Sequence, residues 1–207
     1  FYRNRLVRAY LGASHETRSA DPFTGFAADD NVRLHRCIRR GATAAERGPL
    51  PIVNAALNMV AGDRLAFQQR KAESFAMTPL HCGNFFQGYR ATQHYGGAGG
   101  ITLGTAIAVS GAAANPNMGY HSAPLVTVLM TLFNARLGVW LGNTNTYGDD
   151  TYWRAGPRWA VAPLLAELFG KTNARHPYVN LSDGGHFDNL GLYEVVLRRC
   201  RTVMVSD

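Results

Sequence analysis

The alternation of apolar and polar positions predicts a β-hairpin in the first half of the chain. Residues 51–60 and 65–77 each alternate in the way expected of a strand with one buried face. Between them, Ala61, Gly62 and Asp63 supply turn chemistry, so the two strands should pair antiparallel. Before the hairpin, residues 1–14 carry apolar side chains at helical spacing and arginines on the other side, which predicts a short helix.

Three further helices are expected along the chain. Residues 103–114 are rich in Gly, Ala and Ser, so a helix here would pack closely against other backbone. Ser122 is a suitable N-cap for a helix that runs to about Arg136. The apolar periodicity of residues 160–169 predicts another helix, with Gly170 as its C-cap. The stretches between these elements are expected to be mainly loop: 15–50, 79–100 and 141–158.

The C-terminal region has the pattern of a βαβ unit. Residues 178–181 predict a strand, residues 190–199 a helix, and residues 202–206 a second strand. A helix between two strands favours parallel pairing, so we expect an α/β fold with a largely parallel sheet. Asp183 would then lie at the carboxyl end of a strand, where sites form in such sheets.

Asp183, Gly184 and Gly185 have two interpretations. Asp-Gly is one of the commonest turn dipeptides, so on its own the triplet predicts a turn. Alternatively, a carboxylate at a strand end can act as a base, with glycines that let another group approach closely.

The longer motif resembles a known family of enzymes. The run Ser-Asp-Gly-Gly-His-Phe-Asp-Asn-Leu-Gly-Leu-Tyr-Glu, residues 182–194, precedes a basic cluster and an apolar segment. It resembles the catalytic-aspartate block of bacterial patatin-like phospholipases and of cytosolic phospholipase A2. Four other blocks resemble the same bacterial subgroup, so the similarity covers most of the chain: 52–58, 70–75, 103–113 and 116–121.

The resemblance implies a fold, a catalytic role and a domain organisation. Residues 1–207 would be the C-terminal part of a single patatin-like domain, a three-layer α/β/α structure around a largely parallel sheet. Asp183 would be the base of a Ser–Asp dyad, supported by Gly184 and Gly185. The family's nucleophile lies in a Gly-x-Ser-x-Gly motif, which this sequence lacks, so we expect it upstream of Phe1. The block that contains Ser110 and Gly111 would line the acyl pocket, whose apolar surroundings would make a carboxylate more basic.

The expected function is therefore hydrolysis of a phospholipid or another acyl lipid, without a cofactor. One alternative is a hydrolase that uses Ser110 as its nucleophile. Another is a non-catalytic domain that binds lipid or a partner. His186 is only three residues from Asp183, which makes an Asp-to-His relay awkward, so a packing role is favoured. Asp188 and Asn189 are expected to cap the following helix.

The charge and the cysteine content bear on the expected partners and localisation of the protein. The net charge is +7, and 19 of the 21 basic residues are arginine, which suits either a solvated basic face or attraction to an anionic membrane. The arginines are scattered and no nucleic-acid-binding motif is present, so nucleic acid is not an expected partner. Three separated cysteines favour neither a disulfide framework nor a metal site. With no apolar run of about 20 residues, we expect a cytoplasmic or membrane-associated protein.

Overall fold

The structure is a computed structural model that describes residues 2–15, 17–38, 48–59, 71–113, 137–159, 161–169 and 171–206. Its four α-helices in these ranges are α1 (Tyr2–Leu6), α2 (Leu103–Ser110), α3 (Val161–Leu168) and α4 (Leu192–Leu197). A π-helical turn and a 3₁₀ turn extend α1 as far as Ser14. The strands are β1 (Val53–Asn58), β2 (Ala72–Met77), β3 (His81–Asn84), β4 (Gly88–Ala91), β5 (Val139–Gly142) and β6 (Tyr178–Asp183).

The six strands form one curled sheet in the order β4-β3-β2-β1-β6-β5, and each neighbouring pair in the described chain is antiparallel. The expected three-layer α/β/α fold with a largely parallel sheet is therefore wrong. The chain connections account for the direction of two of the five pairs, because connections of three residues join β2 to β3 and β3 to β4. Connections this short can join only antiparallel strands, whereas parallel strands need a long crossover.

The predicted C-terminal βαβ unit is also wrong. Its first strand and its helix are present as β6 and α4, but residues 202–206 are exposed and form no strand. Strand β6 pairs with β1 along one edge and with β5 along the other. Both hydrogen-bonding edges of β6 are thus occupied, which leaves no position beside it for a parallel strand.

Local predictions from periodicity agree better with the structure. The N-terminal helix, the antiparallel pairing of β1 with β2, and the helices α2 and α3 are confirmed, although most are shorter than predicted. The hairpin β3–β4 and the strand β5 occur where mainly loop was expected, because strands of four residues that contain glycine give little periodic signal. Four predicted features lie outside the described residues: the turn 61–63, residues 65–70 of the return strand, the helix 122–136 and the cap at Gly170.

The hydrophobic core lies between one face of the sheet and α2. Leu57, Phe75 and Leu181 project from β1, β2 and β6 into one buried cluster that includes Val109 of α2. The opposite face at the centre of the sheet is buried but polar, with Asn58, Asn180 and Ser182. Within the described ranges, no helix is long and apolar enough to cross a bilayer.

Small residues let α2 pack closely against the N-terminal helical segment. At Gly104 the closest neighbours are side chains, whereas the sequence predicted close packing against backbone. A Cβ placed on Gly104 would lie 2.5 Å from Asn31 Oδ1 and even closer to the side chain of Val7. Asn31 cannot simply withdraw, because its Oδ1 accepts a hydrogen bond from the Gly104 N–H at 3.1 Å. The contact between the two helices therefore requires glycine at this position.

We expect Gly104→Ala to destabilise the protein although alanine favours helix. The clash should cost about 1–3 kcal/mol, the range for overpacking a core, and outweigh the roughly 1 kcal/mol gained in helix propensity. Each kcal/mol lost lowers the melting temperature by about 2–4 °C in a chain of this size. Thermal unfolding followed by circular dichroism measures the effect. Gly156→Ala is the control, since its Cβ would meet only Trp140 O at 3.2 Å; equal melting shifts would contradict the packing argument.

Candidate functional site

Strand pairing places Asp183 at the end of β6, beside the central strand. Asp183 is opposite Ala55 in the β1–β6 register, and its N–H donates to Ala112 O at 3.3 Å, just beyond the end of α2. Successive strand residues project to opposite faces, so Asp183 lies on the same face as Leu181 and the core, whereas Ser182 lies on the other. Asp183 is half-buried.

The Asp183 carboxylate is oriented by its own turn. Its Oδ1 accepts a hydrogen bond from the Gly185 N–H at 2.7 Å, and residues Gly184–His186 form a 3₁₀ turn. The turn predicted from Asp-Gly-Gly is thus present. Oδ2 makes no hydrogen bond to the part of the chain that the structure describes. One oxygen of the carboxylate therefore fixes the turn, and the other is available to accept a proton.

Glycine is needed where this turn meets β1. A Cβ on Gly184 would lie 2.8 Å from the backbone oxygen of Asn54. Gly191 has a φ of +67°, a conformation that favours glycine, and a Cβ there would lie 2.8 Å from Asn54 Nδ2. The loop from Asp183 to Gly191 is thus pressed against Asn54, a residue that the sequence analysis did not single out.

An open cleft of about 360 Å³ brings the predicted site residues together. Asp183, Gly184, Gly185 and Ser110 all line it, and Gly111 follows Ser110 directly. Much of the remaining lining is polar, including Asn54, Asp188 and Asn189; the apolar part consists of Ile52, Val53 and Leu190. The predominantly apolar acyl pocket expected from the sequence is not what this lining provides.

Ser110 is the last residue of α2 and is half-buried. Its hydroxyl makes no hydrogen bond within the described residues. A serine at the end of a helix lacks the strand-to-helix turn that exposes the nucleophile in a Gly-x-Ser-x-Gly motif. The structure thus brings Ser110 to the same cleft as Asp183 without that geometry.

His186 belongs to the other side of the sheet. Its Nδ1 lies 2.9 Å from the hydroxyl of Ser182, which is fully buried and also accepts a hydrogen bond from Asn58 Nδ2 at 2.9 Å. Asp183 and Ser182 project to opposite faces, so the carboxylate does not orient the imidazole. This geometry agrees with a packing and hydrogen-bonding role for His186, as predicted.

Asp188 has a structural task as well. Its Oδ2 accepts a hydrogen bond from the Tyr193 N–H at 2.7 Å, in the first turn of α4. The predicted capping by Asp188 and Asn189 holds only in part. Asp188 satisfies one N–H of the first turn, but the N-cap position is Gly191, and Asn189 makes no hydrogen bond to the helix in the described chain. Of the two aspartates that line the cleft, Asp183 is the one with an oxygen that no described residue uses.

Other reactive side chains do not form a site in the described ranges. Burial raises the pKa of the Cys82 thiol to about 12, so it is not ionised at neutral pH and is a poor nucleophile. No three His, Cys, Asp or Glu side chains of the described residues are grouped closely enough to hold a metal ion.

No protein-family model, curated protein or solved structure matches this chain.

The two glycines after Asp183 should respond differently to alanine. Gly184→Ala forces a Cβ against the backbone of β1, which cannot move without breaking the sheet, so we expect a loss of about 1–3 kcal/mol. In Gly185→Ala the nearest atom is the end of the exposed Asn189 side chain at 2.7 Å, which can rotate away. Chemical denaturation of both variants tests this, and a larger loss for Gly185→Ala would show that the turn is not seated on Asn54.

Proposed function

We propose that this chain belongs to a lipid acyl hydrolase, of the phospholipase A2 or lysophospholipase type, in which Asp183 is the base of a Ser–Asp dyad. The observation that carries the proposal is the state of the Asp183 carboxylate. It lines an open cleft, its orientation is fixed through Oδ1, and Oδ2 has no partner among the described residues. A general base needs this combination of fixed position and one free oxygen.

The chemistry requires one base that acts in both half-reactions. Oδ2 of Asp183 takes the proton of a serine hydroxyl within about 2.6–3.2 Å while the serine oxygen attacks the ester carbonyl. The tetrahedral intermediate collapses, the carbon–oxygen bond to the glyceryl group breaks, and the proton passes to the leaving alkoxide. Water then attacks the acyl-serine while the same carboxylate takes its proton. As the bond between the acyl carbon and the serine oxygen breaks, that proton passes to the serine oxygen, so the fatty acid is released and the serine is regenerated. N–H donors stabilise the oxyanion in both steps.

The support for this proposal comes from the motif and the cleft. Residues 182–194 resemble the catalytic-aspartate block of patatin-like phospholipases, and the turn that this block forms presents Asp183 to an open cleft. Ser110, which the resemblance assigns to the pocket, lines the same cleft. The antiparallel sheet contributes nothing to the proposal.

A second candidate is a hydrolase whose nucleophile is Ser110. The specific observation in its favour is that Ser110 and Asp183 line one cleft. The hydroxyl has no other hydrogen-bond partner among the described residues, so it is able to donate to a carboxylate. The two candidates share the base and differ in the source of the serine.

Turnover by residues 1–207 alone distinguishes these candidates. If the nucleophile belongs to a Gly-x-Ser-x-Gly motif outside this sequence, the purified chain should hydrolyse neither p-nitrophenyl esters nor phospholipids above background. The measurement is a release assay at high protein concentration, with Ser110→Ala as the matched variant. Turnover by the wild-type chain that Ser110→Ala abolishes would establish Ser110 as the nucleophile and reject the upstream serine.

Asp183→Asn tests the base itself, in a protein that carries the nucleophile. Asparagine has nearly the same size, and its Oδ1 can still accept the Gly185 N–H, so the turn should persist. Only the basic oxygen is lost. Ester hydrolysis should therefore fall by about 10²–10⁴-fold, the usual contribution of a general base, with little change in the thermal melt.

His186→Ala is the control, because its ring contacts Ser182 on the opposite face of the sheet. It should lose far less activity than Asp183→Asn. If Asp183→Asn keeps wild-type turnover and an unchanged melt, Asp183 is only a turn residue. If the wild-type protein binds lipid but hydrolyses no ester, the non-catalytic alternative replaces both enzyme proposals.

A further inference from the structure

Asn189 belongs to the motif at residues 182–194 but lacks the structural role of its acidic neighbours there. Asp188 and Glu194 accept hydrogen bonds that tie the motif to α4 and β2. The side-chain amide of Asn189 makes no hydrogen bond within the described residues, and it is exposed at the cleft. Exposed amides are common, so the position of this one relative to Asp183 is what gives it significance.

The side chains of Asn189 and Asp183 converge on Gly185. A Cβ placed on Gly185 would lie 2.7 Å from Asn189 Oδ1 and 3.2 Å from Asp183 Oδ1. The amide and the carboxylate are thus neighbours across a residue that has no side chain. An ester that reaches Oδ2 of Asp183 therefore comes close to the Asn189 amide.

The backbone on both sides of Asn189 is held in place. Before it, Asp188 accepts a hydrogen bond from the Tyr193 N–H at 2.7 Å. After it, Gly191 adopts a left-handed conformation against Asn54. Only the side-chain torsions of Asn189 remain to be fixed, so little has to be reorganised when a substrate binds.

The proposed chemistry needs a hydrogen-bond donor in the cleft. When a serine attacks an ester, the carbonyl oxygen gains negative charge, which N–H groups at about 2.7–3.1 Å stabilise. An ionised carboxylate only accepts hydrogen bonds, so Asp183 and Asp188 cannot supply this donor. An asparagine amide carries two N–H donors, and those of Asn189 have no acceptor among the described residues.

Asn54 is the other amide among the residues described at the cleft, and it is placed differently. It precedes Ala55, which lies opposite Asp183 in the β1–β6 register. Because successive strand residues project to opposite faces, the Asn54 side chain leaves the sheet on the face opposite Asp183. It is also packed against the loop, since a Cβ on Gly191 would lie 2.8 Å from Asn54 Nδ2. Asn189 is therefore the amide that lies beside the Asp183 carboxylate.

We propose that Asn189 donates a hydrogen bond from Nδ2 to the carbonyl oxygen of the substrate ester and so stabilises the oxyanion that forms beside Asp183. The inference rests on the proposed function and adds a catalytic residue to it. The hydrogen bond joins two neutral groups in the bound ester and becomes charge-assisted in the transition state, where it is stronger. Its loss therefore lowers kcat more than it raises KM.

Steady-state hydrolysis of a dispersed p-nitrophenyl ester tests the role of Asn189, in a protein that carries the nucleophile. Asn189→Ala should lower kcat by about 10²–10³-fold, the usual effect of losing one oxyanion donor, with little change in KM. Asn189→Asp has the same shape but no N–H donor, so its loss should be at least as large. Asn4→Ala removes an exposed amide that lines a different groove and should keep the wild-type kcat. The thermal melts of these variants should match the wild type, because both side chains are exposed.

Gly185→Ala gives a second test, because its methyl group displaces the Asn189 side chain. This variant should lose turnover while its thermal melt changes little. If the loss arises through Asn189, the double variant Gly185→Ala/Asn189→Ala should be no slower than Asn189→Ala alone. Losses that multiply would show that the methyl group does not act through Asn189, and would contradict the inference.

The result for Asp183→Asn separates this inference from the proposed function. If Asp183→Asn loses activity and Asn189→Ala keeps it, the dyad stands and the oxyanion donor lies elsewhere. A raised KM with unchanged kcat in Asn189→Ala would make Asn189 a binding residue only, which also overturns the inference. If the wild-type protein hydrolyses no ester, the proposed function fails and this inference fails with it.

Discussion

The antiparallel pairing of β6 with β1 is the constraint on which the candidate site depends. It places Asp183 opposite Ala55 and presses the following turn against Asn54. Side chains alternate along a strand, so a shift of one residue in this register would move Asp183 to the other face of the sheet. The same register keeps Leu181 in the core. The pairing that buries Leu181 therefore also presents Asp183 to the cleft. Hydrophobic packing thus fixes the position of the polar group that would do the chemistry.

Sequence reasoning predicted the local elements better than it predicted the topology. Local periodicity is enough to predict β1, β2 and α2, and the Asp-Gly-Gly turn follows from the residues that form it. Local periodicity does not predict whether two strands pair parallel or antiparallel, because the pairing depends on which strand edges other strands already occupy. Residues 202–206 have the apolar character of a strand, yet β6 is paired on both sides. No local pattern reports that occupancy, and the family resemblance pointed to the opposite strand direction.

Much of the motif at residues 182–194 has a structural task. Asp188 accepts a hydrogen bond from the Tyr193 N–H in the first turn of α4, and Gly191 adopts a left-handed conformation next to Asn54. Glu194 is buried, accepts a hydrogen bond from the Ser74 hydroxyl at 2.6 Å and pairs with Arg198, which ties α4 to β2. A buried carboxylate without such partners would be costly. Several residues of this block therefore have structural roles, and Asp183 and Asn189 are the ones for which we propose catalytic roles.

The packing of the N-terminal helical segment against α2 positions one wall of the cleft. Gly104 permits the contact with Val7, and Tyr2 closes it beside Gly111. A helix pair with so little free space transmits position as a solid body. The position of Ser110 in the cleft is thus fixed by the packing at Gly104 and by the hydrogen bond at Gly111, rather than by a hydrogen bond of the serine itself.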